Sequence, residues 1–254
     1  MSVRRRIHYP GALVENADAE LSPDASGHLV RVLRLAAGAP LVLFDGAGLE
    51  ADAVLVTADP KRAVAHVGRI RSGAADAPLD LVLVQGYSRG GKMDLVIQKA
   101  TELGVSLVAP AQCTRSIARL DSSRAARRAA HWRQVAVAAC EQSGRSRVPE
   151  VLEPAPLEIA LQVRSDLPGL VLDPTAPQGF GHVTRPAAGI RLLVGPEGGL
   201  SEAEVRLATD AGFQRVRLGP RILRTETAAI AVLAIAGNLW GDLAGPTPAS
   251  DGPA

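Results

Sequence analysis

The sequence is short of aromatic residues, cysteines and long apolar runs, and each shortage excludes a class of protein. Aromatic residues make up 3% of the 254 residues, so a core must be built from Leu, Val, Ile and Ala. Cys113 and Cys140 are too few for a disulfide framework, and no CxxC or HxxxH pair suggests a metal site. No apolar run reaches the roughly 18 residues of a membrane span. These absences predict a cytoplasmic protein with reduced thiols, no metal and no membrane contact.

The charge of the whole chain is close to neutral, but its basic residues are unevenly distributed. The formal net charge is +2. Between Arg115 and Arg147 the sequence has eight arginines and only two acids, Asp121 and Glu141. A basic stripe of this kind is typical of a nucleic-acid-binding surface, although a solvated helix face explains it equally well.

The first 72 residues have the pattern of a small β-barrel. Short Val-rich segments are separated by turn residues such as Asp45-Gly46 and Asp59-Pro60. The predicted elements are a helix over 26–35 and strands over 41–44, 51–57 and 63–70. The small-residue segment 73–78 is predicted to be a linker between two domains.

From residue 79 the pattern changes to alternating strands and helices, which predicts an α/β domain with a largely parallel sheet over 79–243. The predicted strands are 81–85, 106–110, 170–173, 190–195 and 215–219, and the predicted helices are 92–103, 122–142, 201–212 and 226–240. Asp121 is the expected N-cap of the long helix, and Ser201 with Glu204 has the spacing of a capping box. Residues 244–254 are predicted to be disordered.

Two glycine-rich turns in the second half of the chain carry the strongest functional signal. LLVGPEGGLSEAEV (192–205) and LGPRILRTETAA (218–229) each have the pattern of an apolar strand, a tight turn and a helix start. Glycine permits positive φ and close backbone approach, which suits a flat heterocycle or a phosphate. A tight strand–helix connection explains the first turn too, and an ion pair between Arg224 and Glu226 would explain those residues. Together the turns predict one ligand pocket built mostly from backbone.

The segment GYSRGGK (86–92) imitates a phosphate-binding P-loop. It matches G-x-x-x-x-G-K between a predicted strand and a predicted helix, but Met93 stands where a Ser or Thr would reach Mg²⁺. Asp173 after its strand would imitate the Walker B aspartate. The missing hydroxyl makes nucleotide hydrolysis the weaker hypothesis, and Lys92 is interpreted as a basic residue near the pocket or as a solvated one.

The motifs, in this order, resemble the SPOUT class of methyltransferases and, within it, the family that methylates N3 of a uridine in 16S ribosomal RNA. HLVRVLRLAAG and LFDGAG resemble the PUA-like RNA-binding domain of that family. KMDLVIQKATELGV and HWRQVAVAACEQSGRSRVPEV resemble its first methyltransferase helix and its central helix and loop. GPEGGLSEAEV and LGPRILRTETAA resemble its cofactor motifs, and the whole resemblance covers nearly the entire chain.

The resemblance implies an N-terminal PUA-like β-barrel followed by a parallel-sheet methyltransferase domain with a trefoil knot. It also implies S-adenosyl-L-methionine as cofactor, a homodimer, and as target the uridine at position 1498, in standard ribosomal RNA numbering, of the small ribosomal subunit. A SPOUT methyltransferase with another RNA target, such as a ribose 2′-hydroxyl, and a non-catalytic RNA-binding assembly factor are the alternatives.

The resemblance further implies which residues form the sites. The expected cofactor-binding residues are Leu172, Gly195, Glu197, Gly198, Leu218, Gly219, Ile222, Leu223, Thr225 and Thr227. The expected RNA-binding residues are His28, Arg31, Arg34, Arg145 and Arg147.

Methylation of uridine N3 requires that the N3 proton be lost before or during attack. A positioned base, or cations that stabilise negative charge on uridine O2 and O4, would assist this step. The candidates for the cations are Arg145, Arg221 and Arg224, and the candidates for the base are Glu141, Glu197 and Glu226. The sequence does not choose among them, and each glutamate is explained equally well by an ion pair with a neighbouring arginine.

Overall fold

The structure, a computed structural model, describes residues 5–73, 78–88, 90–116 and 122–245. Contacts within the chain divide it into two compact units, Met1–Asp76 with Val137–Val148, and Ala77–Ala136 with Pro149–Ala254. The domain boundaries predicted from the sequence do not place Val137–Val148 with the N-terminal residues. Those boundaries stay predictions. Most of the predicted linker, most of the predicted tail, and the predicted N-cap Asp121 lie outside the described residues.

The N-terminal unit contains one five-stranded sheet. Its strands are β1 (Arg5–His8), β2 (Asp18–Glu20), β3 (Pro40–Phe44), β4 (Leu49–Thr57) and β5 (Val64–Ser72). Their order is β1-β3-β4-β5-β2, in which β1 lies parallel to β3 and the other neighbours are antiparallel. The structure confirms the three predicted strands and adds β1 and β2, which are too short and polar to be recognised from the sequence.

The helical segment of this unit begins earlier than predicted. Helix α1 spans Pro23–Gly27 and continues as a π-helical turn over His28–Val32. The hydroxyl of Ser22 accepts a hydrogen bond from the Ala25 backbone N–H at 3.2 Å, and Pro23 stands in the first turn, where its missing N–H costs nothing. The helix predicted over 26–35 therefore started too late, because the capping residue is Ser22 and Ser26 is a buried residue within the helix.

The main buried cluster of the N-terminal unit is built from aliphatic side chains, as the scarcity of aromatics predicts, and the buried ring of Phe44 does not belong to it. The buried set is Ile7, Ala19, Leu21, Leu29, Leu41, Leu43, Ala51, Ala53, Leu55, Ala63, Ala65 and Val67. It joins the inner face of the sheet to the π-helical turn through Leu29, which is completely buried.

The second unit contains a seven-stranded sheet whose strand pairs are all parallel. Its strands are β6 (Asp80–Gly86), β7 (Leu107–Gln112), β8 (Glu150–Val151), β9 (Ala155–Pro156), β10 (Gly169–Leu172), β11 (Gly189–Val194) and β12 (Phe213–Val216). The order is β12-β10-β11-β6-β7-β8, with β9 also paired to β7. The predicted parallel sheet is confirmed, and its parallel strands place their carboxyl ends at one edge, where α/β folds bind ligands.

The helices of the chain beyond α1 are α2 (Lys92–Glu102), α3 (Ser122–Ser143), α4 (Leu157–Ala160), α5 (Glu202–Asp210) and α6 (Thr225–Trp240). All except the single-turn α4 were predicted. The capping box of α5 is present, because the Ser201 hydroxyl accepts from Glu204 N and the Glu204 carboxylate accepts from Ser201 N. Within the described ranges, no helix has the length and apolar content that crossing a membrane requires.

Strands β6 and β11 pass through the middle of the second unit with nearly every residue buried, as parallel strands covered on both faces do. A charged residue, Arg191, is buried in β11 among these apolar side chains. Arg191 is 2% exposed, and its guanidinium donates to the carbonyls of Leu161 and Leu167 at 2.7 and 2.9 Å while stacking on the ring of Phe213. The two cysteines, Cys113 and Cys140, are both buried and are not joined in a disulfide.

Candidate functional site

A cavity of about 480 Å³ lies where the carboxyl ends of β10, β11 and β12 meet. Its walls are Leu172–Pro174 after β10, Val194–Leu200 after β11, most of the segment 218–228 that leads into α6, and Lys92. The volume is in the range of pockets that hold small organic ligands. The two predicted glycine-rich turns therefore form one pocket, at the edge of the sheet where a ligand is expected.

Most of the residues expected to bind a cofactor line this cavity. They are Leu172, Gly195, Glu197, Gly198, Leu218, Gly219, Ile222, Leu223 and Thr225. The two candidate cations Arg221 and Arg224 line it as well, and Thr227 does not. Lys92 is part of the wall, so the interpretation of this residue as a basic group near the pocket is confirmed.

The first turn requires glycine for two reasons, the close approach of other atoms and a left-handed backbone conformation. A Cβ on Gly198 would lie 2.9 Å from Cβ of Arg115, whose guanidinium donates to the Gly198 carbonyl at 3.0 Å. Gly199 has φ +69°, a left-handed conformation that glycine adopts without strain. Gly86, at the end of β6, also belongs to this packing, since a Cβ there would lie 2.4 Å from the nitrogen of Pro196.

A buried chain of hydrogen bonds joins the first turn to the second. The side-chain amide of Gln85 donates to the Thr225 hydroxyl at 2.9 Å, and that hydroxyl donates to the Gly195 carbonyl at 2.6 Å. Gln85 is completely buried and Thr225 is 6% exposed. Thr225 thus fixes the start of α6 against the end of β11, and its hydroxyl is already engaged. Gln85 was missed by sequence reasoning, because a single polar residue at the end of an apolar strand carries no distinctive pattern.

Glu197 is held as an ionised carboxylate. Its Oε1 accepts from Lys92 Nζ at 3.1 Å. Burial acts to raise the pKa of Glu197, but hydrogen bonds from its own backbone N–H, Lys92 and Ser88, together with the Lys92 charge, lower the pKa below its ordinary value. A carboxylate with a lowered pKa is a weaker proton acceptor, so this environment favours a binding or orienting role.

Asp173 also lines the cavity, and both of its oxygens are occupied. Oδ1 accepts from the backbone N–H and the hydroxyl of Thr175, each at 2.8 Å, and Oδ2 accepts from Arg215 at 2.7 Å. These bonds outweigh the effect of burial and lower the pKa of Asp173. The carboxylate fixes the turn after β10. Among the described residues, no cluster of His, Cys, Asp and Glu is arranged to hold a metal ion.

Two carboxylate oxygens in the cavity wall are buried acceptors without a hydrogen-bond partner in the described structure, Glu197 Oε2 and Glu226 Oε2. The suggested ion pair between Glu226 and Arg224 is therefore not formed at this oxygen. A buried acceptor left unpaired costs about 1–3 kcal/mol, so the pocket suits a ligand that brings hydrogen-bond donors or positive charge. With the backbone of the two turns, the cavity can hold a flat ring and a cationic group together.

The remaining candidates for catalysis and RNA contact, Glu141, Arg145 and Arg147, belong to the N-terminal unit. Glu141 Oε1 accepts from the backbone N–H of His8 at 3.0 Å, so this carboxylate holds the end of β1. Burial lowers the pKa of His8 against the opposing influence of Glu141 and Asp45.

The segment that carries Arg145 and Arg147 is anchored by an ionic network. Arg6 donates to Glu50 at 2.7 Å, to the Ser146 hydroxyl at 2.9 Å and to the Arg145 carbonyl at 3.2 Å. Ser146 in turn donates to Glu50 at 2.8 Å. These contacts fix the backbone of the segment, and sequence reasoning did not foresee them because the partners are far apart in the chain.

The other candidate RNA-binding residues, His28, Arg31 and Arg34, are exposed on the N-terminal unit. They follow one another at three-residue spacing through and just beyond the π-helical turn, and Arg34 has φ +54°. Their exposure leaves them accessible to a polyanion.

Comparison with protein families covers most of the chain. Residues 75–237 match a family described as an RNA methyltransferase domain, and residues 21–68 match the RNA methyltransferase PUA domain. The second match confirms the predicted PUA-like character of the N-terminal part. The first confirms that the parallel-sheet unit is of a methyltransferase type, while the trefoil knot stays a prediction.

Individual relatives agree with these matches. Ribosomal RNA small subunit methyltransferase E of Bacillus subtilis is 33% identical over 81% of this chain and 84% of its own length. The crystal structure of the protein of the same name from Neisseria gonorrhoeae, bound to S-adenosyl methionine, is 38% identical, has a TM-score of 0.87, and covers 94% of this chain and 99% of its own. A Legionella pneumophila methyltransferase with bound SAM is 34% identical, with a TM-score of 0.90 and the same coverage.

Proposed function

The chain belongs to the ribosomal RNA small subunit methyltransferase E family, and on that premise we propose that it methylates N3 of a uridine in 16S ribosomal RNA, with S-adenosyl-L-methionine as methyl donor. Following the resemblance, the target is the uridine at position 1498 in standard numbering. The observation that carries the proposal is the cavity, in which two glycine-rich turns and most of the expected cofactor residues come together.

The residues of the cavity fit S-adenosyl-L-methionine. The backbone at Gly195, Gly198, Leu218 and Gly219 offers a flat, polar surface for the adenosine, and Ile222 and Leu223 offer apolar contact. The buried unpaired oxygen of Glu197 suits the hydroxyl and ammonium donors of the cofactor and the positive charge of its sulfonium. When bound, the cofactor supplies an electrophilic methyl group.

The rest of the mechanism is assigned to residues of this chain. Arg221 and Arg224, in the cavity wall, stabilise the negative charge that develops on uridine O2 and O4 as N3 loses its proton. The base must be unstacked from the RNA to enter the pocket. His28, Arg31, Arg34, Arg145 and Arg147 bind RNA phosphates and set the position of the substrate.

The proposed assembly is a cytoplasmic homodimer that uses no metal. Helix α6 keeps apolar side chains exposed, with Ile235 37% and Leu239 49% accessible, and Leu243 beyond its end is 46% accessible. Ile222, in the second turn, is 85% exposed. Exposed apolar side chains along one helix and the neighbouring turn suit a second copy of the chain.

The proposed reaction is tested by identifying its product. Small ribosomal subunits that lack the modification are incubated with the protein and labelled S-adenosyl-L-methionine, the RNA is digested to nucleosides, and the labelled nucleoside is identified by mass spectrometry. We expect 3-methyluridine. A label on a ribose 2′-hydroxyl would replace the proposed reaction by the alternative SPOUT activity. Absence of label together with absence of cofactor binding in calorimetry would favour the non-catalytic assembly factor.

A further inference from the structure

The proposed reaction needs a proton acceptor for N3, and the structure distinguishes the carboxylates that the sequence leaves equivalent. Glu197 is paired with Lys92 and has a lowered pKa. Glu141 belongs to the N-terminal unit and holds the His8 backbone. Asp173, although it lines the cavity, already accepts hydrogen bonds from Thr175 and Arg215 on its two oxygens. Each of these carboxylates has at least one oxygen engaged by a partner within the protein.

Glu226 differs from all of them, because within the described residues its carboxylate forms no ion pair and accepts no hydrogen bond, whereas Glu197 has one oxygen bound by Lys92 beside an unpaired one. Glu226 lies in the first turn of α6 and is one of the residues that line the cavity. Its Oε2 is buried and has no hydrogen-bond partner in the described part of the chain. A buried, desolvated acceptor gains most when a donor of the substrate is brought to it.

The backbone that carries Glu226 is held firmly in place. The preceding residue, Thr225, donates to the Gly195 carbonyl at 2.6 Å and accepts from Gln85 at 2.9 Å, so the helix start is fixed to the first glycine-rich turn, which also lines the cavity. Efficient proton transfer requires such fixed geometry, because the acceptor must stand within hydrogen-bond reach of the proton. Glu226 therefore combines a fixed backbone position, a place in the cavity wall and an acceptor oxygen that is unpaired in the described structure.

We infer that Glu226 is the general base of the reaction, an inference that rests on the proposed N3-methylation. The carboxylate takes the N3 proton of the uridine as the N3 electron pair forms a bond to the methyl carbon. The methyl–sulfur bond breaks and its electron pair stays on sulfur, which becomes a neutral thioether. The proton on Glu226 is then released to water, which restores the carboxylate. Arg221 and Arg224 stabilise the charge on O2 and O4 during this transfer.

One rival role for Glu226 makes a different prediction. A carboxylate that only binds the ammonium group of the cofactor changes the affinity for the cofactor and leaves the transfer step intact once the site is saturated. A base changes the transfer step and leaves cofactor affinity almost intact. Cofactor binding and single-turnover transfer, measured separately, distinguish the two roles.

The experiment compares Glu226→Gln, which keeps the shape and removes the charge, with Glu226→Ala, which leaves room for a small carboxylate. Glu202→Gln is the matched control, since Glu202 is the N-terminal residue of α5 and its side chain is 95% exposed. Calorimetry measures S-adenosyl-L-methionine affinity, and single-turnover assays on undermethylated small subunits, at saturating cofactor, measure the transfer rate. Thermal unfolding checks that each variant is folded.

For Glu226→Gln we expect a transfer rate lower by about 10²–10⁴-fold with cofactor affinity changed less than about twofold. Added formate is expected to restore part of the rate of Glu226→Ala, and Glu202→Gln is expected to behave as wild type. A fully active Glu226→Gln variant overturns the inference, and so does a variant that loses cofactor affinity yet transfers normally at saturation. If Glu226→Gln is unfolded, formate rescue of Glu226→Ala, or its absence, decides; if Glu226→Ala is unfolded, the transfer rate and cofactor affinity of Glu226→Gln decide. Wild-type protein that places no methyl on N3 overturns the proposed function as well.

Discussion

Thr225 shows how a single hydroxyl can organise a pocket without having to contact its ligand. The resemblance assigns it to the cofactor-binding residues, and it does line the cavity. Its hydroxyl, however, is occupied by Gln85 and by the Gly195 carbonyl. The side chain therefore acts by joining the two glycine-rich turns, and the affinity of the pocket depends on a bond beneath its surface.

This role predicts the effect of two substitutions. Thr225→Val keeps the shape but leaves the Gly195 carbonyl without its donor and the Gln85 amide without one of its two acceptors, the other being the Gly86 carbonyl. A buried group left unpaired costs about 1–3 kcal/mol, so we expect S-adenosyl-L-methionine affinity, measured by calorimetry, to fall about tenfold or more. Thr225→Ser keeps the hydroxyl and is the control that should bind nearly as wild type. Equal affinities of the Val and Ser variants would show that the bond does not shape the pocket.

At the scale of elements, α5 is fixed to the rest of the sheet edge by one carboxylate. Glu204 is 7% exposed and accepts from the backbone N–H groups of Ser201 at 2.7 Å and Thr114 at 2.6 Å. Burial acts to raise the pKa of Glu204, but these hydrogen bonds outweigh it and lower the pKa below its ordinary value. The helix cap and the loop after β7 thus share one ionised group.

The lowered pKa predicts how stability depends on pH. A group whose pKa is lower in the folded than in the unfolded protein stabilises the fold above its unfolded pKa of about 4.3 and loses that contribution as pH falls through its folded pKa. Glu204→Gln is expected to lower the free energy of unfolding by about 1–3 kcal/mol at pH 7. The difference from wild type should shrink toward pH 3 in urea titrations. A difference that is independent of pH would contradict the assignment.

The elements that the sequence predicts are those with local signals. Helices α2, α3, α5 and α6 have apolar residues at helical spacing or cap residues, and the buried strands are continuous apolar runs. Strands β1, β2, β8 and β9 and helix α4 escape prediction because elements of two to four residues carry no periodicity and the pairing of the strands depends on distant segments. The pocket is also predictable from local signals, because the glycines of each turn lie close together in the sequence. The bond from Gln85 to Thr225 and the bond from His8 to Glu141 join residues far apart in the sequence, so neither is predictable from local patterns.

At the scale of the whole molecule, the return of Val137–Val148 to the N-terminal unit is the main feature that no local pattern announces. The segment is held through Ser146, which bonds to Glu50 and Arg6 at sequence separations of 96 and 140 residues. Sequence patterns predict where helices and strands lie. Only the folded chain shows which segments pack together in one unit. The proposed dimer is likewise a property of the assembled molecule.

The proposed homodimer predicts that a charge on the exposed face of α6 separates the subunits. Leu239→Asp places a carboxylate at a position that is 49% exposed in one chain and that the proposal buries between two. We expect light scattering after size-exclusion chromatography to report a dimer for wild type and a monomer for the variant. Val56→Asp is the control, because Val56 is 48% exposed on β4 and lies outside the proposed contact. A variant that remains dimeric would place the contact elsewhere.

The most direct test of the proposed function is to locate the methyl group on the RNA. Undermethylated small subunits are incubated with the protein, with and without S-adenosyl-L-methionine, and the 16S RNA is copied by primer extension. A methyl on N3 blocks the pairing edge of uridine, so we predict a cofactor-dependent stop of reverse transcriptase beside the uridine at position 1498. Methyl incorporation with no stop at that position would contradict the proposed target.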